Sequence, residues 1–129
     1  MSVFTKIING EIPCYKIAED DHFIAFLDIN PNVKGHTLVV PKKEENKIFD
    51  LSKEAYKDLM DFSYRVAKAL EKAVPNSRIG MSVIGLEVPH VHVHLIPLNS
   101  MVDIQFTQKV TLTNEEFICL ANGIASKFE

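Results

Sequence analysis

The sequence lacks the features that mark several specialised classes of protein. Its 14 Lys and Arg against 17 Asp and Glu leave a formal net charge of −3, whereas nucleic-acid-binding domains are usually strongly basic. No stretch approaches the ~20 consecutive apolar residues of a membrane span, and the first residues lack the apolar core of a signal peptide. We therefore expect no nucleic acid and no membrane as partners, and a cytoplasmic location.

Cysteine and low-complexity sequence are also scarce. The two cysteines, Cys14 and Cys119, lie far apart and form neither a C-x-x-C pair nor a disulfide framework, which favours free thiols in a reducing compartment. Five Gly and six Pro occur without any repeat, which argues against a fibrous or disordered chain. With 129 residues, 47% of them hydrophobic, the chain is long enough for one domain, residues 1–129, with a real core.

The apolar pattern predicts short strands and two helices. Residues 53–73 repeat apolar side chains at steps of three and four, the signature of an amphipathic helix, and Ser52 is a plausible cap. Thr113 and Glu116 form a capping-box pattern that predicts the start of a last helix. Residues 4–12 suggest one or two helical turns. Strands are predicted at residues 14–19, 23–29, 36–40, 78–84 and 91–97. Short connections favour antiparallel pairing, so the predicted class is α+β.

The most informative segment is a row of alternating histidines. His90, His92 and His94 alternate with Val91, Val93 and Leu95. On a strand, successive side chains point to opposite faces, so the three imidazoles would share one face and the aliphatic side chains the other. The aliphatic face is the natural core face, which leaves the histidines to line a cleft or meet solvent.

Three interpretations of this histidine face are open. It could be an exposed polar face, although nothing in exposure requires imidazole three times. It could bind a metal with His36, but alternate strand residues lie about 7 Å apart, and three zinc ligands must converge within a few ångströms. It could catalyse nucleophilic attack on phosphorus, since neutral imidazole predominates near pH 7 and flanking imidazoles could donate to phosphoryl oxygens.

The segment His90-Val91-His92-Val93-His94-Leu95-Ile96 resembles the signature of the histidine triad (HIT) family, and the resemblance extends over roughly residues 3–98. Residues 4–13, 26–31 and 35–42 are similar to the N-terminal segment, the second strand and the third strand of the Hint-like branch. The resemblance implies a HIT-like fold: a five-stranded antiparallel sheet with one long helix and a C-terminal helix. It also implies a homodimer whose sheets join across the interface, with the helix at 53–73 near it. That helix could equally cover its own sheet.

The resemblance assigns roles to individual residues. It implies that His92 is the nucleophile, that His94 binds the α-phosphate, and that the carbonyl of His90 fixes the tautomer of His92. His36 would be the fourth histidine of the site, and Asp28 would bind the ribose hydroxyls. The apolar walls around a purine would be Phe4, Ile7, Ile12, Phe26 and Leu27.

The implied activity is that of a nucleotide hydrolase or transferase. It would cleave purine nucleoside phosphoramidates or related nucleotide conjugates at the α-phosphate through a nucleotidyl-histidine intermediate, with no cofactor and no metal. A dinucleoside polyphosphate hydrolase is the alternative within the same chemistry. A nucleotide-binding scaffold with little turnover is the alternative from a different class.

The chain departs from the Hint-like pattern before the triad. Relatives carry a longer glycine-rich loop with a serine or threonine where Glu87 stands. Beside a phosphate, Glu87 could stay protonated and act as an acid toward the leaving group, could repel phosphate, or could simply face solvent. Residues 3–6 lack the cysteines with which some relatives bind a structural zinc. Residues 99–129 lie outside the resemblance as a C-terminal extension. They could cover a sheet edge, extend a dimer interface or shape leaving-group specificity.

Overall fold

The computed structural model describes all residues, 1–129, and consists of one sheet with two long helices on one face and a short N-terminal helix on the other. In chain order the elements are α1 (Val3–Ile8), β1 (Lys16–Glu19), β2 (Phe23–Leu27), β3 (Thr37–Pro41), α2 (Lys53–Ala73), β4 (Arg78–Ser82), β5 (Val93–Leu98) and α3 (Asn114–Ala125). Single 3₁₀ turns occur at Ile48–Asp50 and Met101–Ile104. No helix combines the length and the apolar composition needed to cross a membrane.

The five strands form one antiparallel sheet in the order β1-β2-β3-β5-β4. The predicted α+β class and five-stranded antiparallel sheet are confirmed. The strands after β3 do not pair in chain order, because β5 lies between β3 and β4. This arrangement places β3, which directly follows His36, beside β5, with Leu38 of β3 opposite His94 of β5.

Helix α2 spans the predicted residues 53–73, and Ser52 caps it by accepting a hydrogen bond from the amide of Ala55. Its buried side chains, including Leu59, Phe62 and Val66, pack against the sheet in the main core. The helix therefore covers its own sheet, and its position near a dimer interface stays a prediction. The predicted capping box of the last helix is also present, since Thr113 and Glu116 exchange hydrogen bonds at the start of α3.

The C-terminal extension is packed onto the rest of the chain. Helix α3 lies against β1, β2 and α2, and its residues Phe117, Ala121 and Ile124 belong to the same 18-residue core as the strands. The turn at Met101–Ile104 packs on β5. The strands and α3 therefore share one core, which supports the prediction of a single domain.

Four of the five strands are shorter than their patterns predicted. β1 begins at Lys16 rather than at residue 14, and β2 ends at Leu27 rather than at residue 29. β4 ends at Ser82 rather than at residue 84, and β5 begins at Val93 rather than at residue 91. His90 and His92 therefore precede the regular strand. The backbone that precedes β5 is bound outside the ladder: the amide of His90 donates to the carbonyl of Val88, and that of Val91 donates to the carbonyl of Glu45.

Candidate active site

The sheet has two apolar faces that serve different purposes. The face toward α2 and α3 carries the main core, whereas the other face carries a cluster of five buried side chains: Phe4, Ile24, Phe26, Leu38 and Val40. Phe26 and Leu38 are register partners, and Leu38 in turn faces His94. The histidines and this smaller cluster therefore share one face, which we call the site face.

Most of the residues proposed for a purine pocket lie on the site face or beside it. Phe4 and Phe26 pack edge to face, with ring centroids 5.9 Å apart, and Ile7 borders their cluster. Ile12 is half-buried and belongs to neither apolar cluster. The prediction that Leu27 lines the purine pocket is wrong, because Leu27 packs in the main core on the opposite face. Neighbouring strand residues point to opposite faces, so Phe26 and Leu27 do not line one pocket.

The three triad histidines are all buried on the site face. His90 is fully buried, and His92 and His94 are each 7% exposed. The rings of His92 and His94 have centroids 4.8 Å apart, closer than the spacing of their backbone positions suggests. The ring of Phe4 packs against His92 at 4.9 Å and against His90 at 5.8 Å. The exposed-face interpretation is therefore wrong.

The tautomer of His92 is set by a backbone carbonyl. Its Nδ1 lies 2.7 Å from the carbonyl oxygen of His90, which can only accept a hydrogen bond. Nδ1 therefore carries the proton, and Nε2 keeps its lone pair. Burial lowers the pKa of His92, which the hydrogen bond to His90 and the charge of Asp28 partly oppose. At neutral pH the ring is an uncharged base with a free Nε2.

The tautomer of His94 is set through His36. The amide of Asn32 donates to Nδ1 of His36 over 3.0 Å, so the His36 proton lies on Nε2. That Nε2–H donates to Nδ1 of His94 over 2.9 Å, which places the His94 proton on its own Nε2. Burial is the first cause that lowers the pKa of His36 to about 3 and that of His94 to about 4. His94 thus presents a neutral Nε2–H donor.

A glycine allows His36 to approach β5. Gly35, just before β3, has φ +100°, a conformation that side-chain-bearing residues rarely adopt. A Cβ atom there would also lie 3.0 Å from Cγ of Pro97. The turn can therefore press against β5 only with glycine at this position, and this close approach helps to bring His36 to His94.

Asp28 lies at the end of β2 beside this pair. Its Oδ1 accepts from the amide of Asn30 at 2.9 Å, and its Oδ2 lies 3.6 Å from Nε2 of His36. Burial raises its pKa, while the hydrogen bond from Asn30 opposes the rise. A carboxylate here can accept hydrogen bonds from two neighbouring hydroxyls, the geometry that a ribose offers.

Asp28, His36 and His94 are close enough together to be considered as metal ligands, since their donor atoms lie within 4.8 Å of one another. The hydrogen bonds oppose that use. Nε2 of His36 carries a proton and donates a hydrogen bond to Nδ1 of His94. A cation would need the lone pairs of these same atoms and would have to break the chain of bonds from Asn32.

The N-terminal segment holds His90. The hydroxyl of Ser2 lies 2.6 Å from Nδ1 of His90, and Nε2 of His90 donates to the carbonyl of Pro41 over 2.8 Å. Ser2 Oγ therefore donates to His90. Ser2 also caps α1 by accepting from the amide of Thr5. Glu44 accepts from the amide of Ser2 and the hydroxyl of Thr5, and these bonds lower its pKa to about 2.

Glu87 does not enter the buried part of the site. It is exposed and lines a shallow depression with residues of the N-terminus and with Glu44. Burial beside phosphate, which the acid hypothesis assumed, is absent here. Its charge nevertheless acts on His92, as one of the smaller causes that raise the pKa of that histidine.

Four residues that the sequence did not single out complete the site. Ser2 supports His90, Asn32 sets the tautomer of His36, and Phe106 and Lys109 reach the site from the C-terminal extension. Ser2 had a signal, because it precedes an apolar turn as helix caps do. The others had none: no sequence pattern marks the amide of Asn32 as a donor to the nearby His36, and Lys109 reaches Asn32 from 77 residues away.

A large cleft of the molecule lies elsewhere, so size alone does not mark the site. It has a volume of about 790 Å³ and lies between the N-terminus of α2 and the ends of β2 and β3. Its lining mixes both signs of charge, with Lys42 and Lys43 among Asp50, Glu54 and Asp58. No set of side chains there combines a nucleophile with oriented donors, as the histidines do.

Comparison with known families agrees with this geometry. The profile of the HIT domain matches residues 9–101. An uncharacterized HIT-like protein of Methanocaldococcus jannaschii is 43% identical over 104 residues, which cover 75% of this chain and 78% of that protein. The adenosine 5′-monophosphoramidase of Schizosaccharomyces pombe is 42% identical over 100 residues, covering 74% of this chain and 72% of the relative.

Solved structures share the whole fold. A Hit-like protein of Bartonella henselae superposes with a TM-score of 0.86 at 30% identity, covering 98% of this chain and 96% of that one. A histidine triad nucleotide-binding protein of Sulfolobus tokodaii gives a TM-score of 0.82 at 27% identity, covering 96% and 89%. The structural similarity thus extends over the C-terminal segment, beyond the residues that the family profile matches.

Proposed function

The chain belongs to the HIT domain family, and on that premise we propose that it is a nucleotide hydrolase or transferase acting at the α-phosphate of purine nucleoside phosphoramidates or related nucleotide conjugates. Two relatives at 42% identity, from Schizosaccharomyces pombe and Saccharomyces cerevisiae, are named adenosine 5′-monophosphoramidases. The observation that carries the proposal is the 2.7 Å hydrogen bond from Nδ1 of His92 to the carbonyl of His90. It leaves Nε2 free to attack phosphorus.

In the first step, Nε2 of His92 forms a bond to the α-phosphorus. The bond from phosphorus to the leaving nitrogen breaks, and the amine leaves with the electron pair and takes up a proton from solvent, which the water of the second step later returns. His94 donates its Nε2–H to a phosphoryl oxygen, where negative charge grows in the transition state. In the second step, water attacks phosphorus, the bond to His92 breaks, and the nucleoside monophosphate is released.

The substrate's nucleoside is held by the rest of the site face. Phe4 and Phe26 offer aromatic surface with Ile7 beside it, and Asp28 offers its carboxylate to the ribose. Aromatic rings favour a planar base, which supports a purine without choosing between adenine and guanine. His90 acts through its carbonyl, and His36 acts through the tautomer of His94. Both are positioning residues in this scheme.

We also propose that the active form is a homodimer. β4 is an edge strand with an unpaired side, and Met81 on it is 47% exposed. Tyr64 on the neighbouring α2 is 62% exposed. Pairing of two β4 edges would join the sheets and cover these side chains. Light scattering coupled to size-exclusion chromatography should give twice the mass of the 14.6 kDa chain, and a monomer at micromolar concentration would contradict this.

The decisive experiment measures AMP release from adenosine 5′-phosphoramidate with a chelator present. His92→Asn should lose at least about 10³-fold in kcat because the nucleophile is gone, while nucleotide affinity stays nearly the same. His22→Asn, at an exposed histidine outside the site, is the matched control and should keep full activity. Nucleotide binding without AMP release by the wild type would instead favour a scaffold role. Turnover confined to dinucleoside polyphosphates would favour that alternative.

A further inference from the structure

Phe106 and Lys109 come from the C-terminal extension and lie against the His94 side of the site. The ring of Phe106 has its centroid 4.9 Å from that of His94 and 5.9 Å from that of His36. Nζ of Lys109 lies 5.1 Å from the Phe106 ring and donates to Oδ1 of Asn32 over 2.7 Å. Both residues lie beyond residue 101, where the HIT profile match ends.

This segment is fastened at several points rather than loosely laid over the sheet. The amide of Val110 donates to the carbonyl of Pro31, and the side-chain amide of Asn32 donates to the carbonyl of Asp103, each over 3.0 Å. Phe106 itself adopts φ 61°, a left-handed conformation that is strained for an aromatic residue. Such strain persists where the surrounding contacts over-determine the backbone, and it concentrates at functional sites.

The charge of Lys109 is positioned and has no carboxylate within ion-pair distance, although it is one of the causes that lower the pKa of Asp28. Its hydrogen-bond partner is the neutral amide of Asn32, whereas Lys16, Lys42, Lys43 and Lys68 each lie within 4 Å of a glutamate. An ammonium group has three donors, so two remain available beyond the bond to Asn32. The positive charge also acts on the site, because it is among the causes that lower the pKa of His36 and His94.

We propose that Lys109, seated on Phe106 and Asn32, binds a second anionic group of the substrate, a phosphate or carboxylate carried in addition to the α-phosphate that His92 attacks. This inference rests on the proposed function and adds a specificity-determining residue to it. His36, His92 and His94 have lowered pKa values and provide no positive charge at pH 7. Lys109 supplies that charge at the edge of the site, where a group attached to the leaving group or to the sugar can reach it.

For a substrate such as ADP the chemistry balances in the same way as for a phosphoramidate. Nε2 of His92 forms the bond to the α-phosphorus, and the bond from that phosphorus to the bridging oxygen breaks. The leaving phosphate departs with the electron pair, and Lys109 compensates its charge. Water then attacks the α-phosphorus, the bond to His92 breaks, and AMP and inorganic phosphate are the products.

The test compares three ligands that differ by one charged group: adenosine 5′-phosphoramidate, ADP, and the 3′-phosphate of adenosine 5′-phosphoramidate. Affinities are measured in the His92→Asn background, so that no turnover intervenes. Lys109→Met should raise the Kd of a doubly charged ligand about tenfold, the cost of one charge-assisted hydrogen bond, and that of the phosphoramidate less than threefold. An effect on ADP assigns the second anion to the leaving group, and an effect on the 3′-phosphate assigns it to the sugar.

Two further variants keep the result specific. Lys109→Arg should restore affinity for the charged ligand because it restores the charge, and Lys127→Met, an exposed lysine of the same extension, should change nothing. Equal weakening of all three ligands by Lys109→Met, or no weakening of any, would overturn the proposal. If the wild type binds these ligands but releases no AMP, the proposed function fails while the Lys109 subsite is still measured by the affinities.

Discussion

His92 and His94 are two residues apart, yet their surroundings give them opposite hydrogen-bonding roles. On the His92 side, a backbone carbonyl takes the Nδ1 proton and leaves Nε2 as a free base. On the His94 side, a backbone amide acts through His36 and leaves Nε2–H as a free donor. One residue type thus supplies both the nucleophile and the phosphate donor. The role depends on whether the backbone group that orients the ring, directly or through His36, is a carbonyl or an amide.

The His92 side and the His94 side also differ in the chain segment that packs against them and in the charge nearby. The N-terminal segment holds the His92 side through Ser2 and Phe4, and the acidic Glu87 stands at its margin. The C-terminal extension holds the His94 side through Phe106, with the cationic Lys109 at its margin. Glu87 raises the pKa of His92, and Lys109 lowers that of His94. This distribution of charge favours a proton-accepting His92 beside Glu87 and a bound anion beside Lys109.

After loss of the nucleophile, loss of the Nε2–H donor of His94 should reduce activity the most. His94→Phe keeps a ring against Phe106 but has no Nε2–H for the phosphate. We expect kcat/KM for adenosine 5′-phosphoramidate to fall by roughly 10²–10³, the usual cost of one oriented transition-state donor. A loss below tenfold, in steady-state assays of a folded variant, would show that His94 does not carry this role.

The pH dependence sharpens the assignment of the base. Burial lowers the pKa of His92 in the folded protein, so its neutral, attacking form persists below the ordinary histidine value of about 6.5. kcat/KM should therefore stay level from pH 7.5 down to that value and fall about tenfold per pH unit only below the lowered pKa. A profile measured from pH 4 to 9 whose acid limb lies at or above 6.5 would contradict the assignment.

Ser2→Ala tests how the N-terminal segment holds His90. The change removes the cap of α1 and the donor to Nδ1 of His90, which should cost about 1–2 kcal/mol of unfolding free energy. kcat should fall only severalfold, because the carbonyl that orients His92 remains. Thr113→Ala removes a comparable cap from α3 and is the matched control. In urea titrations both should lose stability, but only Ser2→Ala should change kcat.

The smallest expected effect is at Glu87. Because its side chain is exposed, Glu87→Gln and Glu87→Ala should each change kcat for the phosphoramidate less than threefold. A large loss in both variants, with unchanged KM, would instead establish Glu87 as the acid that protonates the leaving amine. The same pair assayed on ADP, whose leaving phosphate needs no such proton, separates that role from simple repulsion of phosphate.

Local patterns in the sequence predicted much of the fold because they depend on neighbours along the chain. The spacing of apolar residues predicted α2 with its bounds, and the pair Thr113 and Glu116 predicted the cap of α3. The same period-two rule that grouped the histidines also separates Phe26 from Leu27, and applying it there would have excluded Leu27 from the pocket. The first and last residues of the strands were less well predicted, because the extent of β4 and β5 depends on where each strand is paired with the other.

The sequence by itself determined the three alternating histidines, the family they indicate and the amphipathic elements that make the sheet. The tertiary structure decided what each histidine can do. Proton positions depend on a carbonyl of His90, an amide of Asn32 and the packing of β3 against β5, and the charge at the site edge depends on Lys109. The carbonyl of His90 and the amide of Asn32 are near neighbours of the rings they orient, whereas the contacts of His36 with His94 and of Lys109 with Asn32 join distant segments that only register and burial bring together.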